Sequence, residues 1–264
     1  MNSSDFWYER RLWRRGFKII AGVDEVGRGC FAGPVVASAV AFAPNSNFQF
    51  PIFSEKGERV RIDDSKKLTS KQREIAAGWI RKNAYAYGVG SASAKLINRL
   101  GMAKATQMAF RRAVSSAGLK ISTKKKTLPA RNTAKSPRIE FLLIDAFFIP
   151  YVKGLPRGTK KIKGDGKLTG RVSRQLAIVN GDEKSFSIAA ASIVAKVYRD
   201  KLMLSLSNKS KYKKYGWGRN KGYATKEHTE AILKYGITGY HRKQFIATYL
   251  SKHEAPSKKS EIGC

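Results

Sequence analysis

Four acids in this strongly basic chain stand where apolar runs end. Asp24 and Glu25 close the run from Ile19, Asp145 falls within the run Ile139–Ile149, and Asp182 follows Gln175–Val179. A buried carboxylate is costly unless it is paired or coordinates a cation. Strand ends along one edge of a sheet converge, and carboxylates gathered there form an oxygen-rich cage that selects hard cations such as Mg2+ or Mn2+. Two such ions, roughly 4 Å apart, can activate a water and stabilise the leaving oxygen in phosphodiester cleavage. With 3 histidines and 2 cysteines in the whole chain, there is no His/Cys set for zinc. Successive strand side chains point to opposite faces, so Asp24 and Glu25 share a site only if the strand is distorted or ends at Glu25. Gly27 and Gly29 suit such a distortion; the alternative is that Glu25 pairs with a lysine or arginine.

Other residues could grip a phosphate-bearing ligand. Gly27-Arg28-Gly29 would bring backbone amides close to a sugar–phosphate chain, or would simply make a tight turn. Ser65, Lys66 and Lys67 precede a helix announced by Thr69 and Gln72, a capping-box pair. A hydroxyl, amides and positive charge there suit a phosphate. Asp63 and Asp64 beside them read as solvated or capping. Tyr223 lies between Lys221 and Lys226, as on a nucleic-acid surface or in ordinary packing at a helix start. Cys30 reads as a packed small residue, His228 and His241 as structural, and Arg199-Asp200 as an ion pair or hydrogen-bonding pair.

The elements that must position these residues follow in order. Asp5–Gly16 is a short basic helix with Phe6, Trp7 and Trp13 available for packing. Ile19–Val26 and Val35–Phe42 form a strand pair. Ala43–Arg61, with Pro44, Pro51 and Gly57 and no period, reads as loop. A helix runs from Thr69 to about Lys82, and Tyr85–Ser91 is strand-like. Leu96–Val114 carries apolar residues at helical spacing. Leu119–Arg138, with Lys124, Lys125, Lys126, Pro129 and Pro137 and no acid, breaks that helix as an exposed basic insertion. Ile139–Ile149 is continuously apolar, as in a strand buried on both faces. Tyr151–Arg174 is a glycine-rich basic loop, and Gln175–Val179 a short strand. Ser185–Ser205 is a helix whose small residues, Ala189 to Ser192 and Ala195, let it lie close to a sheet. Ser207–Lys221 is a second acid-free basic stretch, interleaved with Tyr212, Tyr215 and Trp217. Thr225–Tyr235 and Arg242–Lys252 are helical, and the tail after His253 reads as disordered. The order predicts an α/β sheet domain with a helical C-terminal extension.

A chain of 264 residues suffices for one large domain or two small ones, and 42% hydrophobic residues suffice for a core. A net charge of +33, from 52 basic and 19 acidic residues, calls for a polyanionic partner. Nucleic acid fits better than an anionic membrane, because no basic amphipathic helix with a bulky apolar face is evident. The bland alternative is a ribosomal component or a basic proteome. Two distant cysteines, Cys30 and Cys264, make no disulfide framework. The N-terminus lacks the apolar core of a signal peptide, and no run approaches the roughly 18 apolar residues of a membrane span. A soluble, cytoplasmic protein is expected.

The motifs GVDEVGRGCFAGPVVASAV, DDSKKLT, LLIDAF, GDEKSFSIAAASIVAKVYRD, NKGYATKEH and YHRKQF, in that order, resemble ribonuclease HII from Ile19 to Phe245. The resemblance implies a ribonuclease H-like fold, a central mixed sheet flanked by helices, with residues 1–205 catalytic, 206–252 a helical substrate-binding segment and 253–264 a tail. It implies a monomeric endonuclease that hydrolyses RNA in RNA–DNA hybrids and cuts at ribonucleotides embedded in duplex DNA. Its metal-site carboxylates fall on Asp24, Glu25, Asp145 and Asp182, holding two Mg2+ or Mn2+ ions. Asp165, in KGDGK, rivals Asp182, which is preferred because a strand leads into it and the small-residue helix follows. Gly27-Arg28-Gly29 becomes the reader of the ribose 2′-hydroxyl, Tyr223 the residue stacking at the ribonucleotide–deoxyribonucleotide junction, and Ser65 and Lys66 phosphate contacts. The related type HIII fits less well, given Gly27-Arg28-Gly29 and no extra N-terminal domain. The basic insertions exceed the family pattern and should add affinity and salt dependence. The alternative function is a non-catalytic basic nucleic-acid binder.

Overall fold

The computed structural model describes residues 4–44, 52–53, 59–125, 138–152, 155 and 174–253. Asp165, most of the glycine-rich loop before Arg174 and the tail after His253 lie outside these residues. The chain divides discontinuously into two compact units. Met1–Val26, Val36–Ser91 and Thr106–Tyr198 form the first; Gly27–Val35, Ala92–Ala105 and Arg199–Cys264 form the second. The expected C-terminal segment from residue 206 is thus joined, within the second unit, by the loop Gly27–Val35.

The first unit is built on a five-stranded sheet of order β5-β2-β1-β6-β7. Its strands are β1 (Ile20–Val26), β2 (Val35–Phe42), β5 (Ala86–Ala92), β6 (Phe141–Asp145) and β7 (Gln175–Ile178). The β1–β2 pair is antiparallel and the β1–β6 and β6–β7 pairs are parallel, so the sheet is mixed. β2 is buried along its whole length, matching its unbroken VVASAVAF run, whereas edge strand β5 alternates between buried and half-buried positions. The stretch expected as loop, Ala43–Arg61, contains a two-residue antiparallel pair, β3 (Ile52–Phe53) with β4 (Arg59–Val60).

Helices cover this sheet. α1 (Trp7–Arg14) directs Leu12 to the core, where it joins Ile20, Phe141, Leu143, Ile178 and Ile188. Phe6 packs at 4.3 Å, centroid to centroid, on Phe186. α2 (Ser70–Asn83) starts at Thr69 with the expected capping box to Gln72. The helix predicted over Leu96–Val114 is two helices, α3 (Ala94–Leu100), which belongs to the second unit, and α4 (Met102–Lys125). Gly101, with φ at +77°, ends α3. The expected break at Leu119 is absent, and α4 runs on to Lys125. The apolar spacing of Phe110, Val114, Ala117 and Ile121 continues the buried stripe, and it outweighs the lysines that suggested a loop. A Cβ added to Gly88 would lie 2.3 Å from Ala113 O, so β5 and α4 touch backbone to backbone.

α5 (Gly181–Lys184) is a single turn between β7 and α6 (Phe186–Ser207). The small residues of α6 do let it lie on the sheet. A Cβ on Gly22 in β1 would sit 2.0 Å from the Ser187 carbonyl carbon. The N-terminal end of α6 is closed by Glu9 of α1. One carboxylate oxygen accepts from Ser185 Oγ at 2.7 Å, Ser187 Oγ at 2.6 Å and the Ser187 amide at 2.9 Å.

The second unit has its own core of Phe31, Met203, Leu206, Tyr215, Trp217, Ile232 and Ile246. It contains α7 (Ser210–Lys213), α8 (Trp217–Asn220), α9 (Lys226–Tyr235) and α10 (Lys243–His253). The aromatics interleaved in the basic stretch face inward: Trp217 is fully buried, with Tyr212 and Tyr215 stacked at 5.3 Å on it. Among the described residues no helix is long and apolar enough to cross a membrane.

The Gly22 contact gives the first prediction. Gly22→Ala forces backbone against backbone, so urea unfolding should show a loss at or above the upper end of the ~1–3 kcal/mol of ordinary overpacking. Gly78→Ala, on α2 with nothing within 4 Å of the new Cβ, should instead gain about 0.5–1 kcal/mol.

Candidate active site

In the first unit, parallel pairing sets the acids. The β1–β6 register ends at Val23↔Ile144, and the next residues on the two strands are Asp24 and Asp145. On the other side Asp145 pairs with Ile178 of β7. The backbone then turns sharply through two residues in the left-handed region, Ala146 (φ 49°) and Asn180 (φ 54°). The Gly181 amide donates to Asp145 Oδ1 at 2.7 Å, tying the start of α5, and with it Asp182, to the end of β6. Three of the four expected acids therefore converge at the carboxyl ends of β1, β6 and β7.

Glu25 differs from expectation. β1 neither ends nor bulges there, since Asp24↔Ser38, Glu25↔Ala37 and Val26↔Val36 continue one register. By strand alternation its side chain leaves from the face opposite Asp24. Its charge nevertheless reaches Asp24. The Asp24 carboxyl is pushed well above the usual carboxylate range, first by burial, then by Glu25 and further by Asp145, against a hydrogen bond from Ser192. Asp24 Oδ1 also accepts the Glu25 amide at 2.7 Å.

Asp182 is raised too, first by burial. Lys66 opposes the rise, and Asp64 and Asp145 add to it. Lys66 Nζ lies 3.3 Å from Asp182 Oδ2 and 3.7 Å from Asp64 Oδ1. Burial works against the Lys66 charge, but Asp182 and Asp64 outweigh it and hold its pKa above the ordinary value. The turn that carries Lys66 is itself fixed. Asp64 Oδ1 accepts the Lys66 amide at 2.9 Å, Ser65 Oγ lies 3.0 Å from Ser192 Oγ, and Arg73 donates to Ser65 O at 3.0 Å. Asp64, expected to be solvated or capping, is buried and acts electrostatically on Asp182. Adjacency to Lys66 in DDSKK was the available signal. Lys67 reaches Glu183 at 3.4 Å and Asp63 at 3.8 Å.

Among the described residues, no group of three or more His, Cys, Asp or Glu side chains stands ready to hold a metal ion. The donor set still fits a hard cation. Its side chains offer oxygen alone, Asp24 is buried, and its carboxylate neighbours raise the cost of its charge.

In the second unit two fully buried arginines hold the loop Gly27–Val35. Arg199, expected to pair with Asp200, donates to Pro34 O at 3.0 Å, Ala32 O at 3.1 Å and Lys221 O at 2.9 Å. Arg242 donates to Gly33 O at 2.9 and 3.1 Å and to Arg28 O at 2.7 Å. Its pKa is pushed down to about 10, first by burial and also by Arg199, with Cys30 opposing. Gly27 has φ +87°, and a Cβ there would meet Arg199 Nε at 2.2 Å; around Gly29 the space is open. Cys30 is fully buried, as expected of a packed small residue. Tyr223 is 40% exposed, with Arg199 Cζ 5.9 Å from its ring centroid. Arg199 and Arg242 were missed as loop anchors because their partners are backbone carbonyls, which leave no mark in sequence.

The family model described as Ribonuclease HII matches residues 21–137 and 150–248. Ribonuclease HII of Thermosynechococcus vestitus is 37% identical over 245 residues, covering 92% of this chain and 91% of that protein. Ribonuclease HII of Bacillus subtilis is 37% identical over 238 residues, covering 90% and 73% respectively. Among solved structures, ribonuclease H2 of Pyrococcus horikoshii aligns with a TM-score of 0.54 at 20% identity, over 90% of this chain and all (100%) of that one. A PCNA:RNase HII complex from Archaeoglobus fulgidus aligns at 0.53 and 25% identity, over 85% and 93%. Bst-RNase HIII in complex with Mn2+ aligns at 0.51 and 17% identity, over 90% and 71%.

The crowding of acids predicts a pH effect on the metal-free protein. Because the Asp24 pKa is higher folded than unfolded, the native state holds more protons. Stability in chelator should therefore fall as pH rises above about 4, the unfolded carboxylate value, until Asp24 has ionised. Asp24→Asn should flatten that decline in thermal unfolding scans between pH 5 and 8, melting above the parent at pH 8.

Proposed function

The chain belongs to the ribonuclease HII family and is a ribonuclease H enzyme, and from that premise we propose that it is an endonuclease cleaving RNA in RNA–DNA hybrids and at ribonucleotides embedded in duplex DNA. Hydrolysis at phosphorus leaves 5′-phosphate and 3′-hydroxyl ends. The observation that carries this reading is the convergence of Asp24, Asp145 and Asp182 at the ends of β1, β6 and β7, with the charge of Asp24 disfavoured by burial and by its carboxylate neighbours. Asp24, Asp145 and Asp182 would hold two Mg2+ or Mn2+ ions, with Glu25, whose charge reaches Asp24, as the fourth carboxylate of the set. The chemistry such ions supply when bound is activation of a water and stabilisation of the leaving oxygen.

The remaining roles belong to the chain. Asp24 and Asp145 fix the acidic end of the sheet, and Asp182 is held to it through the Gly181 amide. Lys66 places an ammonium group beside Asp182, where it can meet a phosphate oxygen, and Ser65 steadies the turn beneath it. Gly27, Arg28 and Gly29 form the reader of the ribose 2′-hydroxyl. With the Arg28, Ala32, Gly33 and Pro34 carbonyls occupied by Arg199 and Arg242, the loop keeps one shape, and the open space at Gly29 lets a sugar approach. Tyr223 offers an exposed ring for stacking, worth about 1–3 kcal/mol per base. The net charge of +33 draws the duplex in and makes binding fall steeply with salt. The enzyme is taken to act as a monomer in the cytoplasm.

A DNA duplex carrying one ribonucleotide, incubated with Mg2+ or Mn2+, tests the reading. The parent should cut at the ribonucleotide and leave an all-DNA duplex intact. Asp24→Asn should bind the duplex but lose cleavage by more than the ~10–100-fold typical of removing an outer-sphere partner. Binding without cleavage by the parent in either ion, or full activity in excess chelator, would overturn it and leave a basic nucleic-acid binder.

A further inference from the structure

Within the first unit, two acids share one lysine. Lys66 Nζ donates to Asp182 Oδ2 at 3.3 Å and stands 3.7 Å from Asp64 Oδ1. The carboxylates are buried, with side chains 7% and 9% exposed, whereas the Lys66 side chain is 80% exposed. The carboxylates are also tied to backbone. Asp182 rides on α5, whose Gly181 amide donates to Asp145 Oδ1 at 2.7 Å, and Asp64 Oδ1 accepts the Lys66 amide at 2.9 Å. An ammonium on a flexible stem, largely in solvent, can leave one carboxylate for another acceptor at small cost. Of the three charges, the cation is the one free to move.

Two ligands compete over this arrangement. A divalent ion on Asp182 takes the carboxylate that Lys66 now neutralises, and a dication and an ammonium on one carboxylate repel each other. A phosphate oxygen takes the ammonium itself, through a charge-assisted hydrogen bond. Substrate phosphate and metal ion therefore help each other: the first removes the cation that the second must displace. Asp64 stays close enough to keep the ammonium at the site when Asp182 gives it up. Lys67, next in sequence, reaches Glu183 at 3.4 Å and Asp63 at 3.8 Å instead. We propose that Lys66 is the resident counter-ion of Asp182 and couples metal loading to substrate binding, holding the carboxylate against a divalent ion until a substrate phosphate draws the ammonium away. This rests on the readings of Asp182 as a metal ligand and Lys66 as a phosphate contact.

Calorimetric titration of Mn2+ into the whole protein tests the coupling, with the protein alone and saturated with a ribonucleotide-containing duplex made resistant to cleavage. Without duplex, Lys66→Met should bind Mn2+ about three- to fivefold tighter than the parent, the scale of a solvent-facing ion pair. Lys67→Met removes the same charge beside Glu183 rather than Asp182, and should stay within about twofold of the parent, as a screened neighbour does. With duplex bound, Lys66→Met should lose its advantage, because the parent's ammonium has already gone to phosphate. By reciprocity, Mn2+ should strengthen duplex binding more in the parent than in Lys66→Met, by that same factor. No tightening in Lys66→Met, equal tightening in Lys67→Met, or an advantage that persists undiminished on the duplex overturns the proposal. Asp182→Asn separates it from the reading beneath. If Asp182→Asn binds Mn2+ as the parent does, Asp182 is no metal ligand, and the coupling fails with that reading. If it weakens Mn2+ binding while Lys66→Met changes nothing, the coupling alone fails.

Discussion

Everything in the first unit follows from the cost of placing carboxylates together where water is scarce. Asp24 lies at 5% exposure with Glu25 and Asp145 acting on it, in a chain whose other charges are overwhelmingly positive. A core strand would gain by replacing it with an apolar residue. The surrounding backbone instead works to keep the acids there: the Gly181 amide holds Asp145, Ser192 and the Glu25 amide hold Asp24, and Lys66 holds Asp182. None of these donors cancels the repulsion. A divalent cation does, and this makes an arrangement unfavourable to the metal-free fold useful to a phosphodiester hydrolase.

A second constraint, of opposite sign, governs the other unit. Arg199 and Arg242 are buried guanidinium groups whose hydrogen bonds go to peptide carbonyls of Arg28, Ala32, Gly33, Pro34 and Lys221. A guanidinium has five donors in a rigid fork, so each fixes several carbonyls at once and the loop between them loses its alternatives. Lysine could not do this. Gly27 and Gly33 then become obligatory, because their positive φ values and the atoms beside their Cα leave no room for a side chain.

Much of this could be read from sequence, and the reason is physical. The acids stood out because apolar runs led into them, and the small residues of α6 announced the close approach that Gly22 permits. The Thr69–Gln72 capping box placed α2 to within a residue or so. What escaped were features fixed by tertiary partners. Gly101 divides a pattern that reads as one helix. The stripe ending at Ile121 carries α4 through lysines that look like a loop. Glu9 closes the start of α6 from far away in sequence, with Ser185 and Ser187 as its partners. Arg199 gave a local reading, paired with its neighbour Asp200, whereas the carbonyls it and Arg242 hold lie mostly far off in sequence. Glu25 remained ambiguous for a geometric reason, and β1 resolves half of it: the strand is regular, so Glu25 acts on Asp24 through charge from the opposite face.

The most direct test of the account is to see what sits between the acids. Crystals of the enzyme with Mn2+ and a ribonucleotide-containing duplex made resistant to cleavage would locate the ion by its anomalous scattering. The account predicts anomalous density within coordinating distance of both Asp24 and Asp145, and its loss in Asp145→Asn crystals grown the same way. Well-ordered substrate with Mn2+ bound elsewhere, and none at these carboxylates, would contradict it.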